Sequence, residues 1–109
     1  MIQIDTTNPP GNELPAAKLV AELLEGEGVE CRLLESASNR GNVVACADSR
    51  EPGPTLLLLS HLDVVPAKHD EWSIDPFSGA VKDGFVWGRG ALDDKLAVAV
   101  MLRVFLDLA

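Results

Sequence analysis

The stretch that decides the expected fold is Thr55-Leu56-Leu57-Leu58-Leu59-Ser60-His61-Leu62-Asp63, in a chain of 109 residues. Consecutive leucines also suit a helix, but the run is short and Pro54 precedes it. A short apolar run after turn residues favours a strand covered on both faces, as in a mostly parallel sheet. Because functional groups gather beyond the carboxyl ends of such strands, we expect His61 and Asp63 to border a site.

The rest of the sequence predicts helices and strands around this central strand. Asn12 is expected to cap a first helix that ends near Glu27, where glycines follow. Alternating apolar residues predict strands over 29–35 and 42–47, and residues 50–54 form a turn-rich segment. A hairpin over 80–87 is expected to turn at Asp83-Gly84, and residues 94–108 form a helix that is apolar on nearly every face and therefore buried on most sides. The fold class is therefore α/β.

Composition and charge exclude several classes of protein. The net charge of −8 argues against a nucleic-acid partner, which requires a basic surface. The apolar runs are far shorter than the ~20 residues that span a bilayer, and the start of the chain shows no secretory signal. Cys31 and Cys46 lack the spacing of a metal clip, so we expect buried, reduced thiols and a cytoplasmic location.

His61 and Asp63 are two residues apart, which places both side chains on the same side of an extended segment. A neutral imidazole is a good ligand for zinc-like ions, and a neighbouring carboxylate can orient the ring. Taken alone, a His-x-Asp sequence is more often a satisfied polar pair. The pattern becomes informative only together with a second cluster.

The second cluster is Gly88-Arg89-Gly90-Ala91-Leu92-Asp93-Asp94-Lys95, directly before the last helix. Adjacent carboxylates at a helix start usually cap the helix and complement its dipole. A carboxylate can also bridge two cations in a two-metal site. Both interpretations remain open from the residues alone.

Three motifs in order resemble the family of two-metal peptidases and deacylases that includes succinyl-diaminopimelate desuccinylase, acetylornithine deacetylase, aminoacylase and glutamate carboxypeptidase. They are the segments 60–66, 72–79 and 83–95, and the segments 8–13 and 40–45 resemble the family's N-terminal pattern. The resemblance covers nearly the whole chain. It implies part of a zinc-peptidase-like mixed sheet flanked by helices.

The resemblance also implies roles for individual residues. His61 would be a metal ligand, Asp63 would orient and polarise His61 as a catalytic residue, and Asp93 would bridge two divalent ions. Zinc is expected, with cobalt or manganese as alternatives. The peptide bond between Asp93 and Asp94 is expected to be cis.

Residues between the two clusters are expected to shape the loop beside the site. They are Trp72, Asp75, Pro76 and Phe77, with packing the favoured role of both aromatic rings. Arg89 is expected to brace its turn, and His69 to be exposed. Leu96 departs from the family, which often has glycine soon after the lysine.

Family members are several times longer, and their remaining metal ligands and general-base glutamate lie downstream. We therefore expect residues 1–109 to be the N-terminal portion of the catalytic domain, with no second domain. The expected substrate is a small N-acyl amino acid or short peptide, and the complete enzyme could be a homodimer. The isolated chain is expected to be inactive. Two alternatives are a non-catalytic binding or assembly module and a piece completed by a separate chain.

Overall fold

Two helices and two pairs of antiparallel strands form the regular structure of this computed structural model, which describes residues 1–49 and 51–109. The elements are α1 (Leu14–Gly26), β1 (Cys31–Ala37), β2 (Arg40–Ala45), β3 (Val81–Lys82), β4 (Phe85–Val86) and α2 (Lys95–Leu108), with a 3-10 turn at His69–Glu71. This arrangement confirms the α/β class. Arg50, the first residue of the predicted turn-rich segment, lies outside the described residues.

The first helix begins two residues after the predicted cap. Asn12 does not cap it, because its side-chain amide donates a hydrogen bond to the Asp5 carbonyl at 3.0 Å. Glu13 occupies the capping position and is buried, with Oε2 at 2.8 Å from Nε of Arg40. This ion pair joins the start of α1 to the start of β2.

The first hairpin, β1 with β2, lies against α1. Strand β1 begins two residues later than predicted, because the backbone N–H of Val29 bonds to the Leu24 carbonyl at the helix end. Strand β2 begins two residues earlier than predicted. Gly41 lies so close to α1 that a Cβ there would be 2.5 Å from the Leu14 Cα. Val20 and Leu24 of α1 form the small buried core together with Val98 of α2.

The prediction of a buried central strand over the leucine run is wrong for this chain. Residues 55–60 form neither a helix nor a paired strand, and Leu57 is 77% exposed. A strand needs a neighbour for its backbone groups and cover for its side chains, and the described residues supply neither here.

The second hairpin and the second helix lie where the sequence predicts them. Asp83 and Gly84 have φ values of 55° and 81°, which suit the type I′ turn of a two-residue hairpin. Helix α2 starts at Lys95, one residue inside the predicted range. The prediction that it is buried on most sides is wrong, since only Lys95 and Val98 are buried in it.

The cysteines agree only in part with expectation. Both are free thiols, but Cys31 is half-buried and Cys46 is exposed, so their predicted burial is wrong. Among the helices of the described residues, none has the length and apolarity that crossing a bilayer requires.

Replacing Gly41 with alanine tests the contact between α1 and the first hairpin. The added Cβ has no room against the Leu14 backbone, so we expect Gly41→Ala to lower the free energy of unfolding by about 1–3 kcal/mol in urea denaturation. Gly53→Ala is the matched control, because a Cβ at Gly53 meets nothing within 4 Å and this glycine lies in neither a helix nor a strand. Equal midpoints for the two variants would show that the contact is not a constraint.

Candidate metal centre

The segment that carries His61 is held in place by the N-terminal segment of the chain. The hydroxyl of Thr6, which is fully buried, donates to the Leu62 carbonyl at 2.6 Å. Val64 donates its N–H to the Thr6 carbonyl at 3.1 Å, and Asn8 donates its N–H to the Val64 carbonyl at 2.9 Å. Thr7 and Val64 thereby form a parallel bridge that fixes the direction of residues 62–64.

His61 contacts Asp63 through one edge of its ring. Nδ1 lies 3.0 Å from Oδ1 of Asp63 and 3.1 Å from the Asp63 carbonyl oxygen. Both oxygens are acceptors, so Nδ1 carries a proton in these contacts. The second ring nitrogen, Nε2, remains for another partner.

That partner is Asp93, whose Oδ1 lies 3.1 Å from Nε2 of His61. The structure therefore brings together the three residues singled out in the sequence: His61, Asp63 and Asp93. The peptide bond between Asp93 and Asp94 is cis, as the resemblance implied. The side chain of Asp93 is 86% exposed, so the pair lies open to solvent.

Asp94 has different contacts from its neighbour. Its Oδ2 accepts a hydrogen bond from the Ser60 hydroxyl, and it lies 3.3 Å from the donating backbone N–H of His61. Asp93 thus faces the imidazole, while Asp94 ties the start of α2 to the backbone on which the imidazole sits.

The site shifts the pKa values of its charged groups. Partial desolvation, the largest single effect, lowers the pKa of His61, but the hydrogen bonds to Asp93 and Asp63 outweigh it and raise the pKa above its usual value. The hydrogen bond from Asn8 is the main reason that the pKa of Asp63 is lowered. The hydrogen bond from Ser60 likewise lowers the pKa of Asp94. These two hydrogen bonds therefore favour the ionised forms of Asp63 and Asp94.

The donor atoms of His61 and Asp93 suit a divalent cation. Two ligands of one tetrahedral zinc ion lie about 3.3 Å apart, given bonds of about 2.0–2.1 Å. The observed distance of 3.1 Å between Nε2 and Oδ1 is close to that spacing. Within residues 1–49 and 51–109, however, no cluster of three or more histidine, cysteine or acidic side chains could hold a metal ion. The described residues therefore provide part of a ligand set.

A cavity of about 500 Å³ adjoins these donors. Its lining includes Asn8, His61, Asp63, Trp72, Arg89 and Asp93. The guanidinium carbon of Arg89 lies 5.2 Å from the centre of the Trp72 ring, a cation–π distance. Arg89 also donates its backbone N–H to the Pro76 carbonyl at 2.7 Å, which agrees with its predicted bracing role.

The other loop residues lie outside the cavity lining. Asp75 accepts a hydrogen bond from the backbone N–H of Phe77 at 2.8 Å and stabilises the loop's own turn. His69 is exposed, as predicted, with its ring 6.2 Å from that of Phe77.

Sequence reasoning missed the contact of Asn8 with Asp63. The side-chain amide of Asn8 donates to Oδ2 of Asp63 at 2.8 Å across 55 residues of chain. The Asn-Pro-Pro-Gly sequence indicated only a turn, and its place in the family pattern was the one signal that linked it to the site. Sequence reasoning also missed the contact of Ser60 with Asp94, because these residues, like Asn8 and Asp63, are far apart in the chain.

Comparisons with known proteins show which family and which relatives this chain is similar to. The sequence profile of peptidase family M20/M25/M40 matches residues 57–109. Succinyl-diaminopimelate desuccinylase of Wolbachia sp. subsp. Brugia malayi is 36% identical over 95 residues, which are 85% of this chain and 24% of the relative.

Two further relatives match shorter segments. The desuccinylase of Methylobacterium radiotolerans is 52% identical over 58 residues, 50% of this chain and 15% of the relative. The human N-fatty-acyl-amino acid synthase/hydrolase PM20D1 is 51% identical over 47 residues, 43% of this chain and 9% of the relative. The chain thus spans a quarter or less of the length of these three proteins. Residues 57–109, which include His61, Asp63 and Asp93, match peptidase family M20/M25/M40, and the chain resembles a succinyl-diaminopimelate desuccinylase over 85% of its length.

Proposed function

We propose that this chain contributes to the active site of a metal-dependent hydrolase that cleaves amide bonds in N-acyl amino acids or short peptides. The observation that carries the proposal is the approach of Nε2 of His61 to Oδ1 of Asp93 at the border of the cavity. The activities for which the relatives are named, those of a desuccinylase and an N-fatty-acyl-amino acid synthase/hydrolase, support an acyl-amide substrate.

The proposed ligands are His61 and Asp93, with Asp93 shared by two divalent ions. Zinc is the proposed metal, and cobalt or manganese suit the same donors. Such ions, when bound, lower the pKa of water and polarise a carbonyl group. Asp63 accepts a hydrogen bond from Nδ1 of His61, and a neutral ring that carries its proton there would offer the lone pair of Nε2, which faces Asp93, to a cation.

The remaining parts of the site are proposed to lie in sequence outside these 109 residues. A catalytic zinc site uses about three protein ligands for each ion. Among the described residues, His61 and Asp93 are the only two proposed ligands. Asp63 is engaged by His61 and Asn8, so it is not free to act as the general base. We therefore propose that residues 1–109 form the N-terminal portion of a single catalytic domain. A cytoplasmic location and a homodimeric complete enzyme are separate proposals that do not depend on the ligand count.

Zinc binding by the chain tests the ligand assignment. His61→Ala removes one of two donors, so we expect the zinc affinity measured by calorimetry to fall by more than about tenfold. His69→Ala is the matched control, because His69 is the only other histidine and lies outside the cavity lining. Equal affinities for His61→Ala and the unaltered chain would remove His61 from the ligand set.

Hydrolysis by the chain tests the proposed division of the site. With zinc added, we expect the 109-residue chain to release no more amino acid from an N-acyl amino acid than its His61→Ala variant does. The physical reason is that too few ligands and no free general base are present. Turnover above that control would contradict the assignment of the missing groups to sequence outside the chain.

A further inference from the structure

The carboxylate of Asp63 has two different partners, one for each oxygen. Oδ1 accepts from Nδ1 of His61 at 3.0 Å, whereas Oδ2 accepts from the side-chain amide of Asn8 at 2.8 Å. A carboxylate without such a partner turns readily, because its terminal torsion is broad. The Asn8 amide therefore restrains the direction in which Oδ1 points.

Asn8 is itself held by backbone contacts on both sides. Its N–H bonds to the Val64 carbonyl at 2.9 Å, and the N–H of Gly11 closes a turn onto the Thr7 carbonyl at 2.9 Å. The asparagine side chain therefore stands beside Asp63 without needing the imidazole to place it. The residue type matters as well, since an amide donates a hydrogen bond to the Asp63 carboxylate, whereas a second carboxylate at this position would repel it.

We propose that Asn8 is a positioning residue of this centre, which turns Oδ1 of Asp63 toward Nδ1 of His61 and thereby keeps the ring proton on Nδ1 and the Nε2 lone pair free for a cation. The role of the cation rests on the proposed function, whereas the position of the ring proton does not. Asn8 acts through Asp63 and is not itself a ligand.

A competing acceptor makes the inference testable. The carbonyl oxygen of Asp63 also lies 3.1 Å from Nδ1 of His61. If that carbonyl alone kept the proton on Nδ1, removal of the Asn8 amide would leave the ring unchanged. On the other ring nitrogen, Oδ1 of Asp93 lies 3.1 Å from Nε2 and favours the opposite tautomer. The tautomer of His61 in Asn8 variants therefore shows whether the Asn8 amide, through Asp63, keeps the proton on Nδ1 against Asp93.

The experiment is two-bond ¹H–¹⁵N correlation NMR of the metal-free chain with labelled histidine, at an alkaline pH at which the His61 ring is neutral. With only two histidines in the chain, assignment needs one His69→Ala spectrum. We expect the unaltered chain to show a protonated Nδ1 and an unprotonated Nε2 at His61. Asn8→Ala and the similarly shaped Asn8→Asp are both expected to move His61 toward the Nε2–H tautomer.

Asn12→Ala is the matched control. The Asn12 amide also ties the N-terminal segment, but it donates to the Asp5 carbonyl and not to Asp63. We expect this variant to keep the His61 tautomer, although it loses a hydrogen bond of the same kind. If Asn8→Ala does not fold, Asn8→Asp decides by the same criterion.

Zinc titration of the same variants gives a second readout. We expect Asn8→Ala to bind zinc about tenfold more weakly, the lower end of what outer partners of metal ligands contribute. An unchanged tautomer in both Asn8 variants, or an equal change in Asn12→Ala, overturns the inference. If the tautomer moves as expected while the unaltered chain binds no zinc, the positioning role stands and the proposed metal function fails instead.

Discussion

The pairing of the N-terminal segment with residues 62–64 is the constraint on which the rest of the structure depends. Backbone hydrogen bonds from Val64 to Thr6 and from Asn8 to Val64 give residues 62–64 a backbone partner, which the leucine run at 55–60 lacks. The buried hydroxyl of Thr6 completes the contact by donating to the Leu62 carbonyl. To leave the buried Thr6 hydroxyl without a partner would cost about 1–3 kcal/mol of stability.

The same N-terminal segment also anchors the second half of the centre. The ammonium group of Lys95, at the start of α2, is buried and donates to the Ile4 carbonyl at 2.8 Å. Desolvation lowers the pKa of Lys95, and the nearby Asp5 partly opposes that effect. The turn before α2 also lies close to residues 62–64, because a Cβ at Gly90 would be only 2.6 Å from the Val64 side chain. One short segment thus holds His61 and Asp93 against each other.

Elements that depend on neighbouring residues could be predicted from the sequence, whereas those that depend on distant partners could not. The Asp83-Gly84 turn and the extent of α2 follow from local residue types, and both were found. The leucine run was assigned from its apolarity to a covered strand, but a strand forms only where another pairs with it. The capping role of Asn12 failed for a related reason, since its amide has a distant backbone acceptor at Asp5.

The site itself divides in the same way. Residue type and spacing singled out His61, Asp63 and Asp93, and the structure places them in contact. The contributions of Asn8 and Ser60 could not be inferred, because each contacts an acid more than thirty residues away. Such contacts become visible only when the chain folds back on itself.

Polar contacts, more than apolar burial, maintain the geometry of the donor atoms. The buried core is small, and large side chains such as Leu57 and Leu92 remain exposed. Each hydrogen bond contributes only about 1 kcal/mol. Those of Thr6 and Lys95 join a side chain to a distant backbone carbonyl, and that of Asn8 joins two side chains, so together they set direction as well as energy. Because the direction of His61 depends on these contacts, the centre can keep its arrangement even though the neighbouring leucines have no cover within the described residues.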